Sequence, residues 1–157
     1  MAGAADDKAW MRLALNAAER ALETDDVPVG AIAVFQDKII GRGWNRREAD
    51  HDPTAHAEII ALREAALEIG SWRLDDVTLY CTLEPCAMCA GALVLARLPR
   101  LVYAAADPKA GAAGSIMNIT RHPQLNHQVR VKGGLLADES AELIRGFFRK
   151  LRAEGQQ

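Results

Sequence analysis

The segment from 77 to 105 constrains the fold more than any other part of the chain. VTLYCT (77–82) and RLVYAA (100–105) are short apolar runs of the kind that form buried strands, and Pro85 to Arg97 between them reads as a helix opened by a proline. Strand, helix and strand in that order close as a parallel crossover. The chain must therefore build a sheet covered by helices.

The remaining patterning extends this unit. From Asp6 to Glu23, Trp10, Leu13, Ala14, Ala17 and Ala21 recur at helical spacing, and Asp6 and Asp7 suit the positive end of such a helix. After the break at Asp25-Asp26-Val27-Pro28, the runs VGAIAVF (29–35) and IIGRGWN (39–45) flank three polar residues and read as a β-hairpin. RREADHDP reads as a polar loop, and Thr54 to Ile69 as a helix with Ile59, Leu62, Ala66 and Ile69 on one face. PKAGAAGS (108–115) has no period and reads as a loop, HQVRV (127–131) as a last strand, and Asp138 to Arg152 as a final helix. The expected architecture is an α/β fold, a three-layer α/β/α sandwich on a mixed sheet of about five strands. At 157 residues it is expected to be one domain, 1–157, with room for a sizeable core.

Bulk properties narrow the setting. No window approaches the roughly 18 uninterrupted apolar residues of a membrane span, and MAGAADDKAW lacks the basic and apolar regions of a secretion signal, so a cytoplasmic protein is expected. The three cysteines, Cys81, Cys86 and Cys89, leave an odd one under any disulfide scheme. A net charge of −2 gives no global attraction to nucleic acid, so any polynucleotide contact has to come from a local basic patch.

Two segments carry chemistry: Thr54-Ala55-His56-Ala57-Glu58 and Glu84-Pro85-Cys86-Ala87-Met88-Cys89, each at the start of an expected helix. Residues three apart on a helix lie only about 60° from each other, so the sulfurs of Cys86 and Cys89 can reach one ion. His56 and Glu58, two apart, fall about 200° from each other within a helix and converge only if the ion lies beyond the helix end. Two helix N-termini aimed at one point place positive partial charge where thiolates and hydroxide need it. Three protein ligands leave a tetrahedral zinc with one open position for water, the mark of a catalytic site, and Glu58 is the carboxylate placed to move the proton.

Blander readings exist for each residue. A Cys-x-x-Cys alone also occurs in structural zinc sites and in redox proteins. A proline ahead of the first cysteine and a His-x-Glu upstream weaken the redox reading. A structural site wants a fourth ligand, yet Cys81 falls inside a strand and reads as a core thiol. His51, His122 and His127 fall in loops or at a strand start and read as solvated or substrate-side.

His-x-Glu followed by Pro-Cys-x-x-Cys is the known signature of the cytidine-deaminase-like zinc deaminases, and through it the chain resembles that superfamily. With DDVPVGAIAV, GWN, HDPTAHAEI, TLYCTLEPCAMCAGAL, DPKAGAAGS and the final FFR, nearly the whole chain resembles the bacterial tRNA-specific adenosine deaminases, which convert wobble adenosine to inosine. The resemblance implies one zinc per subunit on His56, Cys86 and Cys89, with Glu58 as proton shuttle. It implies further that Asn45 hydrogen-bonds the flipped adenine, that Val29 and the backbone near Ala57 and Glu84 line the base pocket, and that Asp107 touches a flanking nucleotide. His122 and Asn126 are weaker substrate candidates, and Asp25-Asp26 departs from the charge expected of an RNA contact. The implied partners are the tRNA anticodon stem-loop and a second copy in a homodimer, with no membrane and no physiological DNA. Independently, CAMCAGALVLA (86–96) is apolar on more sides than a monomer surface tolerates.

The final helix, about 138–152, has a signal of its own. Phe147 and Phe148 are adjacent and about 100° apart, so one of them should stay exposed beside Arg145, Arg149, Lys150 and Arg152, a combination that stacks on an unpaired base and holds phosphate. Solvated charges that complement the helix dipole are the blander reading. The alternative function is deamination of a free purine or pyrimidine, and a third is a zinc-dependent RNA-binding module without turnover.

Overall fold

The computed structural model describes residues 4–155. Helix α1 (Ala4–Arg20) tightens into a 3-10 turn over Ala21–Thr24. Strands β1 (Gly30–Phe35) and β2 (Lys38–Trp44) form the hairpin, turning on Gln36 and Asp37 at φ of 51° and 59°, the positive pair that a two-residue hairpin loop requires. Then follow α2 (Arg47–Asp50), α3 (Ala57–Ile69), β3 (Thr78–Leu83), α4 (Ala87–Leu95), β4 (Arg100–Ala105), β5 (Arg130–Lys132) and α5 (Ala137–Ala153).

The sheet order is β2-β1-β3-β4-β5. Strand β1 is antiparallel to both β2 and β3, whereas β3, β4 and β5 run parallel. The expected crossover is therefore the β3-α4-β4 unit, inside the expected mixed five-stranded sheet. Alternation along the strands gives two cores. Ala31, Ala33, Leu79, Cys81 and Leu101 face α3 and α4, while Ile32, Val34, Tyr80, Val102 and Ala104 pack with Met11 and Ala14 of α1. Helix α5 joins the α1 layer, tied to β3 by the Ser140 hydroxyl donating to the Thr82 carbonyl.

Local differences from the sequence reading have local causes. Thr54 donates to Asp52 Oδ1 from its amide (2.8 Å) and hydroxyl (2.7 Å), holding 52–54 in a turn, so α3 starts at Ala57 and not at Thr54. The stretch read as the loop RREADHDP contains the short helix α2. Pro85 precedes the N-cap Cys86 and does not sit in the first turn of α4. At Gly43, a Cβ would run into the carbonyl of Ala57, so this glycine lets the start of α3 lie directly on β2. No helix among the described residues is long and apolar enough to cross a membrane.

Asp7 anchors α1 more deeply than a dipole charge would. Its side chain is 1% exposed, accepts a two-point contact from Arg100 (2.9 and 2.6 Å) and a bond from the Tyr80 hydroxyl (2.7 Å), and pairs with Lys132 (3.4 Å). Burial alone pushes this carboxyl up; Arg100, Tyr80 and Lys132 outweigh it and hold it at about 2, against the usual 3.8. A depressed carboxyl stabilises the fold above its unfolded value and loses that contribution as pH falls toward its folded value. The contribution is about 2 kcal/mol. In urea unfolding, the stability difference between the parent and Asp7→Asn should be full at pH 5 and shrink between pH 4 and pH 2. A difference that stays constant across that range would show that Asp7 acts by packing alone.

Candidate active site

Helices α3 and α4 point their N-termini at one place, and the N-cap residues are His56 (φ −82°, ψ 151°) and Cys86 (φ −75°, ψ 179°). Ser, Thr, Asp and Asn normally occupy such positions because their side chains satisfy the free N–H groups. Here neither N-cap side chain does so. They turn to each other: His56 Nδ1 lies 3.6 Å from Cys86 Sγ and 3.5 Å from Cys89 Sγ, and the three donor atoms lie within 4.8 Å of one another.

This donor set fits zinc. Bonds of about 2.3 Å to sulfur and about 2.0 Å to nitrogen at a tetrahedral angle separate the two donors by about 3.5 Å, the spacing found here. The geometry also selects Nδ1 as the His56 ligand atom, which the sequence could not specify. The extended backbone of His56 resolves the problem of two residues on opposite helix faces. Because His56 stands outside the helix and Glu58 in its first turn, both line one cleft.

Electrostatics follow from this crowding. Hydrogen bonding from Cys89 and contact with His56 hold the Cys86 thiol far below its usual range, and Cys89, sharing the same proton and more deeply buried, is pushed far above it. The bond to Cys86 raises His56. Such a group readily exchanges its protons for a divalent cation. Glu58 is 4% exposed, and burial, opposed by His56, raises its carboxyl to about 7. A carboxyl tuned to neutrality can both accept and return a proton.

The cleft beside these residues has a volume of about 120 Å³. It is of the order of the roughly 150 Å³ engineered cavity that admits benzene, a size suited to one planar ring system. Val29, Asn45, Ala57, Glu84 and Asp107 all line it. Val29 is also a core residue, 8% exposed, so its two readings are compatible. Asn45 is 6% exposed and accepts the Arg47 amide on Oδ1 (3.1 Å), so it is a turn residue as well as a lining residue.

The side chain of Glu84 has a structural role that the sequence reading missed. Its oxygens accept from the amides of Asp107, Ala113 and Ser115, each at 3.0 Å, and from the Ser115 hydroxyl at 2.5 Å. It thereby organises the 107–115 loop, and Gly111 leaves the space it fills, since a Cβ there would strike the Glu84 carboxylate. Asp107 takes part, accepting from the amides of Lys109 (3.0 Å) and Ala110 (3.2 Å).

Other candidates stand apart from the cleft. His122 and Asn126 are exposed on the 121–129 loop and are not among its lining residues, and His127 contacts the Leu98 carbonyl through Nε2 at 2.6 Å. His51 ends α2 in a left-handed conformation. Cys81 is a buried core thiol, pushed upward by burial, and all three cysteines are free. Phe147 is 8% exposed and Phe148 41%, edge-to-face at 5.2 Å, so one ring is inside and one outside as their spacing required. Val27, Arg47 and Leu83 also line the cleft. No motif flagged Arg47, because the short helix that places it was not visible in the sequence.

Residues 5–152 match the MafB19-like deaminase family. The chain belongs to that family. It is 44% identical over 146 residues to the tRNA-specific adenosine deaminase of Bacillus subtilis, covering 93% of this chain and 91% of the relative. It is 47% identical over 149 residues to the enzyme of the same name from Haemophilus influenzae, covering 94% and 86%. Among solved structures, one from a study of A-to-I editing by tRNA:A34 deaminases at the wobble position of transfer RNA matches with a TM-score of 0.82 and 45% identity, covering 86% of this chain and 98% of that one. In this chain the His-x-Glu and Pro-Cys-x-x-Cys segments meet at one metal-competent point.

Proposed function

We propose that this deaminase converts adenosine to inosine at the wobble position of a tRNA anticodon, in the cytoplasm, where its thiols stay reduced. The observation that carries this reading is a base-sized cleft shared by Glu58 and a His/Cys/Cys donor set, in a chain 44–47% identical to tRNA-specific adenosine deaminases over more than nine-tenths of its length. His56, Cys86 and Cys89 hold one zinc per subunit. Bound zinc supplies Lewis-acid activation of water at neutral pH. Glu58 takes one proton from the attacking water and delivers it to ring nitrogen N1, then relays the water's second proton, from the hydroxyl now on C6, to the amine as the C6–N bond breaks, so that adenosine and water become inosine and ammonia. The buried walls exclude bulk water, and Asn45 orients the base. Asp107 borders the flanking nucleotide, while His122 and Asn126 lie further out along the RNA.

A continuous surface leads from the cleft to the C-terminal helix. Val27 and Arg47 line both the cleft and a neighbouring groove that contains Phe147, Phe148 and Leu151. Beyond it, Phe148 borders a hollow with Lys109, Arg145, Arg149 and Arg152. Arg145 and Arg149 are partly neutralised by Glu142 (3.1 and 2.6 Å), which leaves Lys109 and Arg152 as the stronger phosphate ligands. Because Phe147 is buried, Phe148 is the ring available to stack on an unpaired base. Phe148→Ala should raise KM for an anticodon stem-loop by the order of one stacking contact, about 1 to 3 kcal/mol, without loss of zinc. Arg152→Gln should flatten the salt dependence of binding by about one phosphate. If Phe148→Ala costs as much on a truncated minimal substrate, or acts only through thermal stability, the helix is structural.

The homodimer completes the reading. Met88, Gly91, Ala92 and Leu95 form an i, i+3, i+4, i+7 stripe on α4, with Met88 and Leu95 37% and 71% exposed. A second copy seated on that stripe buries it. Because α4 also carries Cys86 and Cys89, the partner then lies beside the site.

A further inference from the structure

We propose that Asp26 is a positioning residue for the target base: its buried carboxylate fixes the turn that carries Asn45 and so sets which end of the Asn45 amide faces the cleft. This rests on the reading of Asn45 as the residue that meets the base. The sequence marked Asp25-Asp26 only as a doubtful RNA contact, and the structure separates the two. Asp25 is exposed and ends the 3-10 turn, whereas Asp26 is 1% exposed and faces inward.

Asp26 and two of its partners, Thr24 and Glu48, line the groove that neighbours the cleft. Asp26 Oδ1 accepts the Glu48 amide (2.7 Å), and Oδ2 accepts the Ala49 amide (3.2 Å) and the Thr24 hydroxyl (2.7 Å). Helix α2 spans only Arg47–Asp50, and its N-cap residue Arg46 provides no side-chain cap. So short a helix does not hold itself together. A cleft residue and Asp26 cap it instead: Asn45 Oδ1 takes the Arg47 amide at 3.1 Å, and Asp26 takes the next two. The carboxylate thus ties the segment before β1, which carries Val27, to the segment after β2, which carries Asn45 and Arg47.

The consequence for the base is chemical. With Oδ1 committed to the Arg47 amide, Asn45 retains Nδ2 as a donor, and Nδ2 donates no hydrogen bond among the described residues. The ring nitrogens of adenine are acceptors. A fixed amide offers them a donor, whereas an amide released to flip offers an oxygen to a lone pair half of the time. Removing Asp26 leaves two amides of α2 uncapped and lets the Asn45 anchor move.

The test is a double-mutant cycle on zinc-loaded enzyme with an anticodon stem-loop carrying wobble adenosine. Asn45→Ala and Asp26→Ala should each lower kcat/KM roughly ten-fold, the order of one lost hydrogen bond. In the Asn45→Ala background, Asp26→Ala should change it by less than about two-fold, since the two act through one contact. Zinc content should not change, and Asp26→Glu, which keeps both acceptors, should recover most of the activity. Asp26→Asn, which keeps only one, provides the same cycle if the alanine variant folds poorly. An equal fold-loss from Asp26→Ala with and without Asn45, or no loss in either background, overturns the proposal. An Asn45→Ala variant as active as the parent overturns it as well, through the reading on which it rests. A parent inactive on the stem-loop refutes the substrate assignment instead.

Discussion

Glu58→Ala is expected to retain its metal and lose turnover by a factor on the order of 10² to 10⁴, the range supplied by a positioned acid/base group. The donor atoms His56 Nδ1, Cys86 Sγ and Cys89 Sγ form a complete set without it. The carboxylate sits beside them, almost fully buried and raised to about 7 by that burial. Elemental analysis should therefore give equal zinc in parent and variant. Glu58→Gln, which keeps the volume and removes only the ionisable oxygen, should fall as far and so separate proton transfer from a packing defect. Near-normal deamination by either variant would remove Glu58 from the mechanism.

Cys86→Ala has the opposite signature. One thiolate and one imidazole remain, too few to keep zinc in a site that also needs an open position. Zinc content should drop well below one per chain, activity should fall to background, and thermal stability should fall with the metal. Cys81→Ala is the control, because Cys81 is fully buried in the sheet core and is not a member of the donor group. It should keep its zinc and lose only the stability of a small cavity. Full occupancy in Cys86→Ala would mean that the ligands are misassigned.

These two outcomes rest on residues that stand in short sequence motifs, and physics explains the contrast with the rest. The spacing of Cys86 and Cys89 and the strand-helix-strand order of β3, α4 and β4 are encoded in one contiguous stretch, where periodicity and local geometry apply. The same holds for Phe147 and Phe148, whose neighbouring positions forced one ring outward. Helix α2 escaped notice because four residues are too few to show a helical period and its cap, Asp26, lies 22 residues from Glu48. Glu84 escaped for the same reason, since the amides it binds lie 23 to 31 residues away in the sequence and converge only in the folded loop. Asp7 read as a dipole charge because its partners Tyr80, Arg100 and Lys132 come from three different strands. Local patterns marked the candidate residues; what positions them is non-local.

The most direct measurement is deamination of an anticodon stem-loop with adenosine at the wobble position, compared with free adenosine, cytidine and guanine under the same conditions. Released ammonia and the base at each position should be measured by mass spectrometry. One ammonia per stem-loop, inosine confined to the wobble position and little or no turnover of the free compounds are the predicted result. Efficient turnover of a free base or nucleoside, with the stem-loop left unchanged, would contradict the account.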